Sequence, residues 1–507
     1  MGVIARQSIK GAIANYIGVA IGFLTTFFVL TRYLSEDEVG LTRMMVDAAT
    51  LFSSLAMLGT NSTLVRYFPW FKDGRRNHGI FGWSVLAPTV GFVVMLALFF
   101  AFRQPLIDLY APGSPLAAQY FYLLPMLTAF YMYKTVFETN ASVLLRITVP
   151  KIVHEIIIRL LNLAAYILYG TGVVDFTTFV WLFCGSYGVA MLLNLLYLIK
   201  LGQISLRIER AFPDRKMLRE MGSYSLYMTA TVLAGNVPLM NSLFLGAKAG
   251  AAMTGVYAIA SYVANVVDVP YRSLGAISRP VVSQAVKDDN LPEVNRLVRQ
   301  VSLHQLLVSL LIFYIIWINL DAFFTFLPNG ERYASGAIVV LVLGLARVVN
   351  SSLSIGTDVL NFSSRYRMGL LFIAVLTAAA IALNATLIGP WGIGGAAAAT
   401  LMAYIIYFTL MLAFVWRKLR VSLFSWNQLK VLAIMAAAFA LNLLWEHSLT
   451  PLIAPNPTVT TLLADAVLKT LVLGGAVAAA VLMWHVSPTV DAFVKKTKDK
   501  TQRNRDI

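Results

Sequence analysis

The sequence predicts an all-α integral membrane protein. Hydrophobic residues make up 59% of its 507 positions and charged residues only 13%, where a soluble domain carries about a quarter charged. Apolar stretches of about 20 residues, each long enough to cross a hydrocarbon core, recur from one end to the other. Between them, Lys and Arg gather in alternate connections. A chain in lipid must satisfy its backbone polar groups internally, so these stretches are read as helices.

Taken in order, the spans fall near 11–30, 42–66, 79–102, 118–144, 151–170, 176–199, 222–246, 253–278, 301–320, 335–360, 368–388, 393–416, 428–446 and 466–486, about fourteen in all. Gly11–Leu30 reads as a first span kept in the product, because no small-residue cleavage site follows it. Of the 40 Lys and Arg residues, 30 fall at the N-terminus, in the even-numbered loops or at their edges, or in the C-terminal tail; five fall in odd-numbered loops or at their edges, and five deeper inside spans. Positive residues mark the cytoplasmic side, so both termini are expected there. The net charge of +16 therefore records topology and excludes a nucleic-acid role. The tail "KKTKDKTQRNRDI" reads as a solvated cytoplasmic segment able to touch anionic lipid.

The longest cytoplasmic connection, Lys200–Ser223, separates the sixth and seventh spans. The expected organisation is a six-span lobe over 1–200, a linker over 201–221, a second six-span lobe over 222–416, two extra spans over 417–490 and a basic tail over 491–507. An internal echo supports two lobes. "FVLTRYLSEDEVGLTRMMVDAATLFSSLAMLG" and "SLFLGAKAGAAMTGVYAIASYVANVVDVPYRSLG" each give an apolar span, a short outer loop and a long span with buried polar residues. The loops end in Val-Gly-Leu and Thr-Gly-Val, and Leu-Gly closes the inner end of each long span. Two lobes of six spans insert the same way round, related by an axis along the membrane normal.

Five spans place polar residues on one helical face. These faces are Arg43, Asp47, Thr50, Ser54 and Asn61; Tyr131, Lys134, Glu138 and Ser142; Glu155, Arg159, Asn162, Tyr166 and Tyr169; Ser261, Asn265, Asp268 and Arg272; and Arg347, Asn350, Ser354, Asp358 and Asn361. A charge at mid-bilayer costs roughly 2.5–3.5 kcal/mol or more, so such faces must meet one another or a hydrated cavity. Arg43 with Asp47, Lys134 with Glu138, Glu155 with Arg159 and Asp268 with Arg272 stand four apart and can neutralise each other. Glu138 and Arg159 also come to similar depths on adjacent spans, which allows a cross-helix pair. Arg347 has no carboxylate one turn away and is the strongest candidate to face a ligand. Pro270, between Asp268 and Arg272, and Pro238 in "GNVPLMN" are expected to kink their spans. Guanidinium groups grip phosphate oxygens with paired hydrogen bonds and stay charged at any pH. The substrate-facing candidates are Arg43, Asp47, Asn61, Lys134, Glu138, Arg159, Asn265, Asp268, Arg272 and Arg347. A diphosphate bearing a hydroxyl-rich group is the ligand they suit.

No enzymatic chemistry is legible. His78, His154, His304, His447 and His485 lie in loops or at span ends without metal-ligand spacing. There is no Walker loop or nucleophile elbow. "GPWGIGGAAAAT" follows one span and opens another, so its small residues read as helix packing. Cys184 is single and apolar in context, so no cofactor or metal is expected.

The opening "RQSIKGAIANYIGVAIGFLTTFFVLTRYLSEDEVGLTRMMVDAATLFSSLAMLGTNSTLVRYF" resembles the start of bacterial polysaccharide flippases of the O-antigen type, within the multidrug, oligosaccharidyl-lipid and polysaccharide exporter superfamily. The matching features are the basic start, the Tyr-Leu-Ser plus acidic run plus Val-Gly turn, and Leu-Gly-Thr followed by Arg66. The resemblance implies two six-helix lobes in a V around a central cavity, with two C-terminal helices added. It also implies a monomer in the bacterial inner membrane that flips an undecaprenyl-diphosphate-linked oligosaccharide to the periplasmic leaflet by alternating access, for surface polysaccharide such as lipopolysaccharide. Cavity cations would hold the diphosphate, with Arg43, Arg272 and Arg347 as candidates. Asp47 is a candidate for coupling to a cation gradient, with pairing to Arg43 as the alternative. Two relatives in the superfamily, a cation-coupled multidrug exporter and a peptidoglycan-precursor flippase, stand as alternatives.

Overall fold

The computed structural model describes residues 3–72, 75–202, 205, 213–453 and 458–486. The basic tail and most of the 201–212 connection thus lie outside the described residues. Among those residues the regular structure is helical throughout. Each of the fourteen sequence-predicted spans corresponds to a helix, part of a helix or a broken pair. Among the described residues nine helices are long and apolar enough to cross a membrane, and the pair Glu36–Ala56 and Thr60–Phe71, bent by 45°, makes a tenth.

The tally differs from fourteen because the seventh and eighth spans are interrupted, the eleventh and twelfth are fused, and the fourth, Leu124–Val143, is one helix but not among the ten. The seventh breaks at Asn236 into Arg215–Gly235 and Val237–Lys248, with Pro238 in the first turn of the second piece. The eighth breaks at a 3₁₀ turn, Val266–Asp268, between Ala251–Asn265 and Val269–Lys287. Proline lacks the N–H that a helix interior needs, so each break lets it sit where that donor is not required. The eleventh and twelfth spans run together as Met368–Phe414 across Gly392, whose φ of 53° and ψ of −129° belong to glycine rather than to a helix.

Local chemistry fixes the starts. In "YLSEDEVG" the Glu38 N–H donates to Ser35 Oγ at 3.4 Å, while the Ser35 N–H donates to Glu38 Oε2 at 2.8 Å. This capping box begins the Glu36–Ala56 helix. A π-helical turn, Val153–Ile157, sits inside the fifth span and joins Thr148–Ile152 to Ile158–Gly170.

The helices gather into two compact units, Met1–Ile259 with Asn384–Ala396, and Ala260–Leu383 with Ala397–Ile507. In the first unit a core of Met57, Phe81, Met132, Val136, Phe137 and Leu198 joins the second, third, fourth and sixth spans. Asn384 is held there by its amide donating to Asn241 Oδ1 at 2.9 Å, and Asn241 donates in turn to the Tyr257 hydroxyl at 2.7 Å. In the second unit Phe313 and Tyr314 pack with Val431, Met435, Trp445 and Val477, which seats the two extra spans against the ninth. Lipid tails are as apolar as leucine, so close contact between atoms, more than removal from water, holds such helices together.

The two echo glycines meet. A Cβ on Gly40 would lie 1.9 Å from the Ala251 carbonyl oxygen, and one on Gly255 would lie 2.1 Å from that of Glu36. The backbones of the Glu36–Ala56 and Ala251–Asn265 helices thus cross with no room for a side chain between them.

Candidate functional site

The polar faces of the first unit come together as ion pairs. Arg43 Nε donates to Asp47 Oδ2 at 2.6 Å, and the Ser242 hydroxyl donates to the same oxygen at 2.6 Å. Lys134 is 1% exposed. Its ammonium stands 3.4 Å from Glu138 Oε1, 2.8 Å from His154 Nδ1 and 4.7 Å from the centre of the Tyr131 ring. An ammonium can only donate, so His154 Nδ1 accepts and its proton sits on Nε2. Arg159 Nη2 donates to Glu155 Oε2 at 3.0 Å.

The Glu138–Arg159 pair that the depths allow therefore does not form: Glu138 takes Lys134, and Arg159 takes Glu155. The reason is the π turn at 153–157. It adds a residue to one turn of helix, so the adjacent residues His154 and Glu155 both reach the polar side. Ordinary 3.6-residue spacing, read from sequence, leaves His154 at a span end with no role.

Above these pairs opens a pocket of about 650 Å³, lined by Asn61, Ser62, Arg66, Glu138, Thr139, Ser142, Lys151, His154, Glu155 and Tyr224 among others. Asn61 and Glu138 are expected at a ligand site from sequence; Arg66 and Lys151 are not. The Asn61 amide also donates to Met57 Sδ at 3.2 Å. The Arg66 guanidinium lies over the Tyr224 ring, 4.3 Å from its centre.

The second unit adds a partner that spacing along one helix does not give: Asp268 Oδ2 is 3.3 Å from Arg347 Nη1, a pair across helices. Asp268 closes the 3₁₀ turn Val266–Asp268, ahead of the Val269–Lys287 helix. Arg347 Nε has no hydrogen-bond partner among the described residues. Arg272 lies in the Val269–Lys287 helix, and its side chain falls outside the described residues. Asn265 ends the preceding helix, partly buried. Arg279, missed from sequence because it stands one residue past the predicted eighth span and counts there as a loop cation, donates to Asp358 Oδ2 at 3.0 Å and to the Tyr271 hydroxyl at 2.6 Å. At the far end of this unit Lys469 lies 3.6 Å from both Glu446 and Asp465. The Trp445 indole donates to Asp465 at 2.9 Å.

The family model described as "Polysaccharide biosynthesis protein" matches residues 4–286, more than half of the chain. The chain belongs to this polysaccharide biosynthesis protein family. The match takes in the whole pocket of the first unit and the Asp268 turn. No curated protein sequence matches significantly. Among solved structures, the chain is similar to the lipid II flippase MurJ in an inward closed conformation, with a TM-score of 0.65 at 13% identity, covering 92% of this chain and 98% of that one. An inward-facing multidrug resistance MATE family transporter of the MOP superfamily gives 0.57 at 13% identity, covering 80% and 98%. A MOP superfamily transporter from Pyrococcus furiosus, with a binding pocket described as reversed in polarity, gives 0.52 at 12% identity, covering 81% and 94%. This family member is thus a multi-pass membrane protein with the fold of that transporter superfamily.

In this family member Asp47 is 4% exposed, so its charge has little water to fall back on. Asp47→Asn keeps an acceptor for Ser242 but removes the charge opposite Arg43. The expected loss is about 1–3 kcal/mol, read as a lower unfolding midpoint of the detergent-purified protein. An unchanged midpoint would show that Arg43 is balanced elsewhere.

Proposed function

We propose that the protein flips a lipid-linked oligosaccharide, carried on undecaprenyl diphosphate, from the cytoplasmic to the periplasmic leaflet for surface polysaccharide synthesis. The mechanism is alternating access of two six-span lobes, 1–200 and 222–416, joined by the 201–221 linker. The meeting of Gly40 with Gly255 supports this layout, because equivalent positions of a repeat face each other across an axis along the membrane normal. Both termini lie on the cytoplasmic side of the bacterial inner membrane.

One observation carries the choice of substrate. Asp47, Glu138, Glu155, Asp268, Asp358 and Asp465 are each paired with a basic side chain. An exporter of cationic drugs needs a buried carboxylate free to receive the drug, and these six are engaged. Arg347 in the second unit keeps an uncommitted Nε–H and Arg43 in the first stands in an ion pair, while the acidic groups are masked. That arrangement suits an anionic passenger. Lys134, Arg159, Asn265 and Arg272 are proposed as further polar contacts of the passenger.

The test is complementation of a strain lacking its own polysaccharide flippase. Surface polysaccharide should return, without added drug resistance and without rescue of cells depleted of their lipid II flippase. Drug resistance alone would move the protein to the exporters, and rescue of the depleted cells would make it a peptidoglycan-precursor flippase.

A further inference from the structure

We infer that the pocket of the first unit is a docking site for the phosphate end of a glycosyl diphosphate, held by Arg66 and Lys151. The inference rests on the flippase reading and names residues for its first contact with substrate.

Charge compensation leads to it. Two carboxylates line the pocket, Glu138 and Glu155, and each has its own cation: Lys134 behind the first and Arg159 beside the second. The cations that remain are Arg66 and Lys151, which have no carboxylate partner among the described residues. Both are exposed. The pocket thus holds an uncompensated positive pair over a neutralised floor. Arg66 is also pre-positioned. Stacking of its guanidinium 4.3 Å over Tyr224 fixes the plane of the fork and leaves the N–H edge free to meet two phosphate oxygens. Lys151, on another helix, adds a compact point charge to the same lining.

The rest of the lining suits a sugar. Asn61, Ser62, Thr139 and Ser142 offer amide and hydroxyl groups, and His154 adds an Nε2–H donor once Lys134 holds its other nitrogen. The volume of about 650 Å³ lies within the usual range for small-molecule sites, roughly 300–1,000 Å³. The position is also right for a first contact. The lining comes from stretches flanking the second, fourth and sixth loops, on the side that the Lys and Arg distribution assigns to the cytoplasm.

A phospholipid headgroup carries the same phosphate chemistry, so the experiment must separate the two sources. The full-length protein is placed in phosphatidylcholine nanodiscs and titrated with uridine-diphosphate N-acetylglucosamine as a soluble glycosyl diphosphate, then with inorganic pyrophosphate as competitor. Saturable binding is expected, with affinity falling at least about tenfold in Arg66→Ala and in Lys151→Ala, and less in Arg66→Lys, which keeps the charge but loses the fork. Lys151 is exposed, so its variant tests the site without disturbing the core. Wild-type affinity in both alanine variants overturns the proposal. So does loss of probe binding when about a third of the disc lipid is phosphatidylglycerol, since the pocket would then be a headgroup seat. In the complementation strain, full surface polysaccharide from Arg66→Ala/Lys151→Ala removes the docking site and leaves the flippase reading intact. Failure of the wild type to complement, with probe binding sensitive to both residues, removes the flippase reading and leaves the site.

Discussion

Gly40→Val is expected to yield little or no folded protein. The obstacle is backbone: the first carbon of any side chain at position 40 would sit 1.9 Å from the Ala251 carbonyl oxygen and 3.1 Å from the Gly255 nitrogen. Ordinary contact begins at 3.4 Å, so the two helices would have to separate by roughly 1.5 Å along this crossing. Overpacking typically costs 1–3 kcal/mol where side chains can shift. A carbonyl on a helix can move only with its helix, so the loss here should exceed that range, and valine adds two methyl groups to the clash. Gly255→Ala meets the Glu36 carbonyl at 2.1 Å and should behave alike. Gly185 supplies the control. A Cβ there has nothing within 4 Å, so Gly185→Ala should be neutral, or stabilising by up to about 1 kcal/mol through helix propensity. The measurement is the yield of monodisperse protein on size exclusion and its unfolding midpoint. A normal peak and midpoint for Gly40→Val would mean that the crossing is not close-packed in the membrane.

These glycines show what a sequence can and cannot disclose about such a fold. Span positions are legible because hydropathy must match bilayer thickness, and each predicted span meets a helix or helix pair. Glycine at the same place in two echoing hairpins is also legible, but that the two touch is not, because contact between distant segments leaves no local trace. Four-residue spacing finds Arg43 with Asp47, Lys134 with Glu138 and Glu155 with Arg159. It does not reach the cross-helix partners, Arg347 of Asp268 and Lys134 of His154. The 3₁₀ turn at Val266–Asp268 and the π turn at Val153–Ile157 each change the number of residues per turn, so a face drawn at 3.6 residues per turn loses its register there. Such turns carry no dependable sequence mark. Arg66 and Lys151 escape for another reason. At span ends they count as topology signals, and only the pocket's shape reveals them as facing a common space.

The pairing of Asp268 with Arg347 yields the second large effect. Asp268→Ala should lower stability by about 3–5 kcal/mol, because it strands a guanidinium in a low-dielectric setting; the Arg347 side chain is only 14% exposed. Arg347→Met should be comparably harmful, since it strands the carboxylate. Replacing both should be much milder than the sum, because an apolar pair of similar volume can substitute for a buried ion pair at little cost. A coupling of about 0.5–3 kcal/mol is the range for contacting residues. The double variant then separates two roles that either single variant confounds. If Arg347 serves only to neutralise Asp268, a protein that folds without both should restore surface polysaccharide. If its free Nε–H receives a phosphate oxygen of the passenger, the double variant should fold and reach the membrane yet lose at least about tenfold in transport, the cost of one charge-assisted hydrogen bond. The second outcome is expected, since a paired guanidinium with a donor to spare is what a carrier of phosphate requires. Wild-type transport by the stable double variant would assign Arg347 to the scaffold alone.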